Sequence, residues 1–203
     1  MAKENTNQIH LKVKDHSVSG EVFELIQNSE FGFLETSPLP ASDKLSDYYK
    51  SEDYISHTDS KRNLFEKAYH VVRRISLKKK LKLINSFSLE NKILLDVGCG
   101  TGDFLQTAQN NNWQVSGIEP NSFGVITLWH VLEHLSNLEN QITILKKLLK
   151  PNGTLIIAVP NYKSFDAKHY AEFWAAFDVP RHLWHFNKES VSKLVAKFQM
   201  EVM

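Results

Sequence analysis

Residues 93–102 read Ile-Leu-Leu-Asp-Val-Gly-Cys-Gly-Thr-Gly and decide the fold. The first five residues are apolar except for Asp96, which predicts a buried strand of a parallel sheet. Three glycines at alternate positions follow, and a helical apolar stripe comes next, at Phe104, Leu105 and Ala108. Strand, glycine turn and helix form the first half of a nucleotide-binding unit, because glycine lets the backbone approach a ligand and the helix start offers free N–H groups.

The spacing of the glycines distinguishes two kinds of nucleotide site. A dinucleotide fingerprint needs a third glycine at the position that Asp103 occupies. Asp96 lies two residues before Gly98, and Asp-x-Gly-x-Gly-x-Gly resembles the pattern of class I S-adenosylmethionine (SAM) methyltransferases. The resemblance implies a Rossmann-like, doubly wound α/β fold with a mostly parallel sheet and helices on both faces. It also implies that Asp96 accepts a hydrogen bond from the cofactor's ammonium group, directly or through water.

A second acidic residue follows the glycine turn. Residues 115–118 predict another strand, and Glu119 ends it 17 residues after Gly102. A carboxylate at this place can accept from both hydroxyls of a ribose. The resemblance then implies a set of SAM-binding residues: Asp96, Gly98, Cys99, Gly100, Gly102, Glu119, Pro120, Leu128 and Trp129.

The segment Trp129-His130-Val131-Leu132-Glu133-His134 follows a third apolar run and leaves three roles open. His130 can act as a general base, because imidazole titrates near neutrality. His130, Glu133 and His134 can hold a divalent metal, as a related motif does in ubiquinone-pathway methyltransferases that this part of the chain resembles. Alternatively, Glu133 and His134 stabilise a turn and a helix start. We take His130 as the catalytic residue and assign no metal.

Composition limits the partners of the chain. Its 203 residues contain 24 Lys or Arg and 23 Asp or Glu, so no global field attracts nucleic acid or a membrane. The single cysteine, Cys99, excludes an intrachain disulfide and suits a reducing compartment. A polar N-terminus without a signal-peptide core makes a cytoplasmic protein the expectation. The residues leave the oligomeric state open.

Residues 1–60 predict an N-terminal arm of helical or irregular structure, and residues 61–203 predict the SAM-binding methyltransferase domain. Related bacterial methyltransferases carry Cys-x-x-Cys-Gly before a Thr-x-Pro-x-Pro stretch, and residues 28–40 resemble this zinc-binding segment. Asn28 and Phe31 stand where the cysteines would be. Since zinc needs thiolates or imidazoles, we expect no zinc at this segment, and we interpret His10 and His16 as surface histidines.

Two further segments have alternative interpretations. Residues 61–84 predict a helix with nine basic residues, which is either a solvated face or a basic wall for an anionic substrate. Residues 163–187 are dense in aromatic residues and histidines, which form either a mobile lid over the site or a hydrophobic minicore. Arg181 in that segment either clamps an acidic substrate or pairs with Asp178. Residues 199–203 predict the start of a strand that is cut short.

The connection between Glu119 and Val125 is too short for the predicted topology. The two flanking strands belong on opposite sides of the first strand, so the chain must cross about 9.6 Å sideways and return about 16 Å along the sheet. That span is about 19 Å, whereas four residue steps reach at most about 14 Å. Either a crossover segment is missing from this sequence near residues 121–124, or the sheet is rearranged.

The predicted function is transfer of the SAM methyl group to oxygen or nitrogen of a small-molecule acceptor by in-line displacement. A non-catalytic SAM-binding or partner-binding module is the alternative. A nucleic-acid methyltransferase that uses the basic helix is a third hypothesis, but the Asn/Asp-Pro-Pro-Tyr motif of amino-methylating DNA enzymes is absent. Nucleic acid is therefore not an expected partner.

Overall fold

The structure is a computed structural model that describes residues 8–41, 43–50, 63–87, 92–114 and 123–203, with the backbone alone for residues 63–70. The chain packs into two compact units. Unit 1 contains Met1–Thr58, Leu132–Leu138 and Val159–Met203, and unit 2 contains Asp59–Val131 and Glu139–Ala158. The predicted boundary between residues 60 and 61 separates two domains along the sequence, and it stays a prediction.

The strands of the described residues are β1 (Ile9–Lys14), β2 (Val22–Gln27), β3 (Leu34–Ser37), β4 (Leu94–Val97), β5 (Phe123–Trp129), β6 (Leu149–Ala158) and β7 (Trp184–His185). The α-helices are α1 (Asn63–Asn85), α2 (Asp103–Gln109), α3 (Leu138–Leu148), α4 (Phe165–Tyr170) and α5 (Lys188–Lys197). Short 3-10 helices lie at Leu45–Tyr49, Leu132–His134, Ala171–Phe173 and Ala175–Phe177.

Unit 2 is built on a parallel sheet in the order β4-β5-β6. The central strand β5 is buried along residues 123–128, as expected for a parallel strand with a neighbour on each edge. Helices α1 and α2 bury apolar side chains with β4 and β5 in one cluster: Ile84, Leu94, Phe104, Ala108, Trp113 and Val125. The predicted Rossmann-like α/β fold with a mostly parallel sheet is confirmed.

The two edges of β4 have different neighbours. On one edge, the carbonyl oxygen of Ile93 accepts from the backbone nitrogens of Gly124 and Val125. Towards the other edge, Gln114 forms a parallel bridge with Ile93, through hydrogen bonds with the backbone of Lys92 and Leu94. Gln114 and β5 therefore flank β4 on opposite sides. The predicted strand at 115–118 and the junctions of the predicted missing segment, up to residue 122, lie outside the described residues.

Unit 1 contains an antiparallel sheet in the order β1-β2-β3-β7. The prediction of a helical or irregular N-terminal arm is therefore wrong for the strands at 9–14, 22–27 and 34–37. Val13, Phe23 and Leu25 are buried while the residues beside them are more exposed, which is the period of two expected for strands. Leu34 pairs with His185 of β7, so the sheet joins both ends of the chain.

Helix α1 matches the predicted segment, but apolar residues in its middle are exposed. Val71, Val72 and Ile75 are 53, 65 and 49 % exposed. The helix instead packs through later residues, since Leu77, Leu81 and Ile84 join the apolar cluster of unit 2.

None of the helices in the described ranges combines the length and apolar character needed to cross a bilayer. The predicted strand at the end of the chain is also wrong, because residues 200–203 have no regular secondary structure.

Candidate functional site

Asp96 is the buried acid of the glycine turn, on β4 in unit 2. Its side chain is 8 % exposed and accepts a hydrogen bond from the hydroxyl of Thr127 on the neighbouring β5. Burial raises the pKa of Asp96, although the Thr127 hydrogen bond and the charge of Lys80 act in the opposite direction. A carboxylate in this state gains from a further cationic donor, such as an ammonium group.

The turn after Asp96 uses glycine where no other residue fits well. Gly98, Gly100 and Gly102 have φ values of 69°, 53° and 77°, in the left-handed region that side chains disfavour. A Cβ at Gly98 would lie 2.5 Å from Cγ2 of Val131, whereas a Cβ at Gly100 or Gly102 would meet no atom of the described residues within 4 Å. Gly98 is therefore fixed by packing, and the backbone of the other two faces open space.

Polar contacts hold the far end of this turn, where α2 begins. Arg73 of α1 forms an ion pair with Asp103, and its Nη2 donates to Oγ1 of Thr101 across 3.0 Å. The Thr101 hydroxyl also contacts Asp103. Cys99, which was predicted to contact the cofactor, lies exposed between the first two glycines. The Arg73 side chain thus binds residues of the turn itself. This contact argues against a basic wall for an anionic substrate at this residue of α1.

The predicted cofactor residues at the end of β5 are an apolar pair. Leu128 is fully buried, and the Trp129 ring packs edge-on against Phe104 with 5.9 Å between centroids. Nζ of Lys80, from α1, lies 4.4 Å from the Trp129 centroid, in a cation–π contact. Burial lowers the pKa of Lys80, and the nearby Asp96 acts against that shift.

His130 directly follows β5 and has a strained backbone. Its φ is 57°, in the left-handed region, and its backbone nitrogen donates to the carbonyl oxygen of Ala158 over 2.9 Å. The residue is exposed. Strained residues of this kind concentrate at functional sites, at the carboxyl ends of parallel strands in particular. Glu119 and Pro120, the remaining predicted cofactor residues, lie outside the described residues.

Unit 1 brings together a second group of candidate site residues. Glu133, His134 and His182 each offer one metal-binding atom, and these atoms lie within 4.8 Å of one another. The cluster contains His182 where the sequence interpretation placed His130. Glu133 is fully buried, His182 is 8 % exposed, and the rings of His134 and His182 lie 4.6 Å apart at 75°.

Two neutral histidines lie in the same unit. Burial, followed by the charge of His134, lowers the pKa of His182. Burial and the neighbouring His182 lower the pKa of His185 to about 3. Nε2 of His185 lies 3.0 Å from the hydroxyl of Thr36, whose oxygen also contacts the His182 carbonyl. These imidazoles are uncharged near neutral pH.

Arg181 is a structural residue of unit 1. It is 3 % exposed, and its guanidinium donates to Asp178 at 2.6 and 2.8 Å, to Asp15 at 3.0 Å and to the carbonyl of Tyr48 at 2.9 Å. The structure therefore favours pairing over a substrate clamp, with Asp15 as a partner that the sequence did not reveal. A hydrophobic minicore describes part of residues 163–187, since Phe177 and Phe186 are buried. Phe165, Tyr170 and Phe173 are more than half exposed.

His182 belongs to the candidate metal cluster, a position that the sequence alone did not reveal. It lies 48 residues after His134, in the segment at 163–187 that the sequence leaves open as either a mobile lid or a hydrophobic minicore. The sequence signal nearest to it is the run Asp178-x-Pro180-Arg181-His182, which does not link the imidazole to Glu133 or His134. Because contacts over such separations depend on the fold, spacing alone does not reveal them.

Comparisons with known proteins place the chain in a family. No curated protein matches it significantly. Solved structures that resemble it include a SAM-dependent methyltransferase of Thermotoga maritima, at 17 % identity and a TM-score of 0.46, with 65 % of this chain and 74 % of that chain covered. Another is a SAM-dependent methyltransferase of Archaeoglobus fulgidus, at 16 % identity and a TM-score of 0.46, with 61 % and 67 % covered.

A third solved structure is the 1,6-didemethyltoxoflavin-N1-methyltransferase of Burkholderia thailandensis with bound S-adenosylhomocysteine, at 13 % identity and a TM-score of 0.46, with 91 % and 87 % covered. A family model described as a methyltransferase domain matches residues 61–203, well over half of the chain. This match confirms the predicted methyltransferase class. The chain therefore belongs to the methyltransferase domain family.

Proposed function

We propose that this protein transfers the methyl group of SAM to an oxygen or nitrogen atom of a small-molecule acceptor. The observation that carries the proposal is the acid–glycine turn, in which a buried Asp96 precedes backbone that faces open space at Gly100 and Gly102. SAM is the methyl donor of this domain. Its sulfonium methyl is attacked directly and in line, so the protein supplies positioning and needs no covalent intermediate.

Each residue of the turn has a distinct role in the proposal. Asp96 accepts from the ammonium group of SAM, and the glycine backbone passes close to the amino-acid part of the cofactor. Glu119 accepts from the ribose hydroxyls, with Cys99, Pro120, Leu128 and Trp129 beside the cofactor. His130 accepts the proton of the acceptor group, which its place at the end of β5 supports.

Calorimetry with S-adenosylhomocysteine tests the cofactor site. Glu119→Ala should weaken binding by about 1–3 kcal/mol, because charge-assisted hydrogen bonds to the ribose are lost. Glu189→Ala, a change at an exposed carboxylate of α5, is the matched control and should leave binding unchanged. Equal affinity of the Glu119→Ala variant and the wild-type protein would remove Glu119 from the ribose site.

Turnover tests the role of His130. His130→Ala should lower kcat and leave the affinity for the cofactor close to that of the wild-type protein, because a base acts on the acceptor and not on SAM. His169→Ala changes an exposed histidine of α4 and serves as the control. A drop in cofactor affinity with no change in kcat would instead assign His130 to cofactor binding.

A non-catalytic SAM-binding or partner-binding module is the second candidate. The short connection between Glu119 and Val125 favours it, because a shortened crossover would remove part of the cofactor site. Tight SAM binding without methyl transfer to any member of a broad panel of amines, phenols and carboxylic acids would support this module. Methyl transfer to a single member of the panel would exclude it.

The organisation of the chain completes the proposal. The methyltransferase domain spans residues 61–203, the arm spans residues 1–60, and a crossover segment is missing near residues 121–124. Intact mass measurement of the protein from its native source tests the last point, because a longer chain would exceed 23.4 kDa. The same proposal includes three further properties. The chain is similar to ubiquinone-pathway methyltransferases, residues 28–40 originate from a zinc-binding segment, and the protein is cytoplasmic.

A further inference from the structure

The cluster of Glu133, His134 and His182 has the composition of a transition-metal site. Two imidazoles and one carboxylate are a donor set that Zn²⁺ and other divalent d-block metals bind, with a remaining position for water. The three metal-binding atoms lie within 4.8 Å of one another. Ligand atoms about 2.0–2.2 Å from a common zinc ion lie roughly 3.5 Å apart, so small side-chain shifts suffice to close the site.

Hydrogen bonds fix which nitrogen of each histidine is available. Nδ1 of His182 lies 2.9 Å from the carbonyl oxygen of Ala176, and Nδ1 of His134 lies 3.0 Å from the carbonyl oxygen of Arg181. A carbonyl oxygen can only accept, so both Nδ1 atoms carry the proton. Nε2 of each ring is then the atom that remains for a metal. Metal-binding histidines in proteins are oriented in this way, with the second nitrogen donating to a carbonyl.

The backbone around the cluster is also held in place. The nitrogen of Leu183 donates to the carbonyl oxygen of Glu133 over 2.8 Å, so the two segments that supply the ligands are joined beside them. The hydroxyl of Tyr49 lies 3.3 Å from Nδ1 of His134. Glu133 is fully buried and His182 is 8 % exposed, while His134 is half-buried and gives solvent a route to the cluster.

We propose that Glu133, His134 and His182 form a Zn²⁺ site that joins the 3-10 helix Leu132–His134 to the segment at 176–183 in unit 1. The three polar side chains, which lie close together, would each form a coordination bond to the ion. The role of the ion is to hold this part of the unit in one conformation. All three residues belong to unit 1, and the proposal does not depend on the proposed acceptor.

The test is zinc binding by the full-length protein. The protein is stripped with a chelator and titrated with Zn²⁺ against a competing chromophoric chelator. Wild-type protein should bind about one ion per chain, and His134→Gln, Glu133→Gln and His182→Gln should each weaken binding by at least about 100-fold, since even outer-shell partners are worth about 10–100-fold. His169→Gln and His10→Gln change exposed histidines and should bind as tightly as the wild-type protein.

Circular dichroism of each variant shows whether it folds. Equal zinc affinity in a folded His182→Gln variant and the wild-type protein overturns the proposal, as does wild-type protein that binds no zinc. If the ligand variants do not fold, Co²⁺ titration of wild-type protein decides between the outcomes. An intense visible spectrum of a low-coordinate ion supports the site, and the weak spectrum of hydrated Co²⁺ overturns it.

Discussion

Asp15 in unit 1 and Asp96 in unit 2 are both buried carboxylates, with 1 and 8 % exposure, but their surroundings differ. Asp15 accepts hydrogen bonds from the backbone of residues 17, 18 and 19, from the Ser19 hydroxyl and from Arg181. Burial alone would raise the pKa of Asp15, but hydrogen bonds from Ser19, Arg181 and Ser17 outweigh it and lower that pKa. Asp96 has Thr127 as its side-chain donor among the described residues, and its pKa is raised.

The difference separates an acid that several protein donors satisfy from an acid with one side-chain donor among the described residues. The protein itself supplies the donors and the counter-ion that Asp15 needs, so its ionised form stabilises the fold. The ionised form of Asp96 is disfavoured in the folded protein, and a cationic ligand would relieve that cost. Buried carboxylates with few protein donors are therefore better candidates for binding than those with many.

The largest effect is expected for Asp15→Asn. Removing the charge leaves Asp178 as the remaining carboxylate partner of Arg181, and should lower the free energy of unfolding by about 3 kcal/mol, at the low end of values for broken buried ion pairs. Urea denaturation measures this change. The folded variant should keep its affinity for S-adenosylhomocysteine within about twofold. A loss of stability below about 1 kcal/mol would contradict the structural role.

Gly98 and Gly100 of the glycine turn differ in a similar way, since packing fixes Gly98 whereas Gly100 is a candidate for cofactor binding. Gly98→Ala should lower the free energy of unfolding by about 2–3 kcal/mol, because the new methyl group is strained at positive φ and collides with Val131. Gly100→Ala is the matched control. It meets open space, so it should cost about 1 kcal/mol of stability but weaken cofactor binding more than its stability change suggests. Equal stability losses in the two variants would contradict the packing of Gly98.

Asp96→Asn should weaken cofactor binding without lowering stability, whereas Asp15→Asn should lower stability without weakening binding. Loss of the charge should weaken binding of S-adenosylhomocysteine by about 1.5–3 kcal/mol, the usual contribution of a hydrogen bond to a charged group. The free energy of unfolding should stay unchanged or rise, because a buried charge is removed. Calorimetry and urea denaturation measure the two quantities. Unchanged affinity would show that Asp96 is not the acid that binds the ammonium group.

The smallest expected effect is the pH dependence of the contributions of Asp15 and Asp96 to the free energy of unfolding. The lowered pKa of Asp15 stabilises the fold above the unfolded value of about 3.9, and this contribution is lost as the pH falls through the folded pKa. The raised pKa of Asp96 contributes stability below about 3.9, and this contribution is lost as the pH rises through the folded pKa.

Urea denaturation between pH 7 and pH 3 tests both signs. The stability gap between the wild-type protein and Asp15→Asn should narrow in the most acidic samples. Any stability gain of Asp96→Asn over the wild-type protein should shrink as the solution is acidified from neutral pH. A gap between Asp15→Asn and the wild-type protein that stays constant to the lowest pH would contradict the hydrogen bonding described for Asp15.

The sequence was most informative where local rules decide the structure. The apolar run at 93–97 followed by glycines predicts a strand and a tight turn, and both were found, with Gly98, Gly100 and Gly102 at positive φ. Asn187 is of a residue type favoured at helix N-caps, and its side chain accepts from the backbone nitrogen of Ser190 at the start of α5. Such features depend on a few neighbouring residues, so spacing and residue type suffice.

The sequence was least informative where distant segments meet. The strands at 9–37 were not predicted, because short apolar runs fit several kinds of structure and pairing depends on partners elsewhere in the chain. Asp15 lies 166 residues from its partner Arg181, and Thr36 lies 146 residues from the His182 carbonyl that it contacts. No local pattern in the sequence connects these residues.

The pairing of Leu34 with His185 sets an order for folding during synthesis. Unit 2 consists of residues inserted between parts of unit 1, so its parallel sheet can form while the end of the chain is still unmade. The four-stranded sheet must wait for β7, and β1, β2 and β3 present an open edge in the meantime. Such long-range closure is slow, and we expect this edge to be the part of the nascent chain that most needs protection from aggregation.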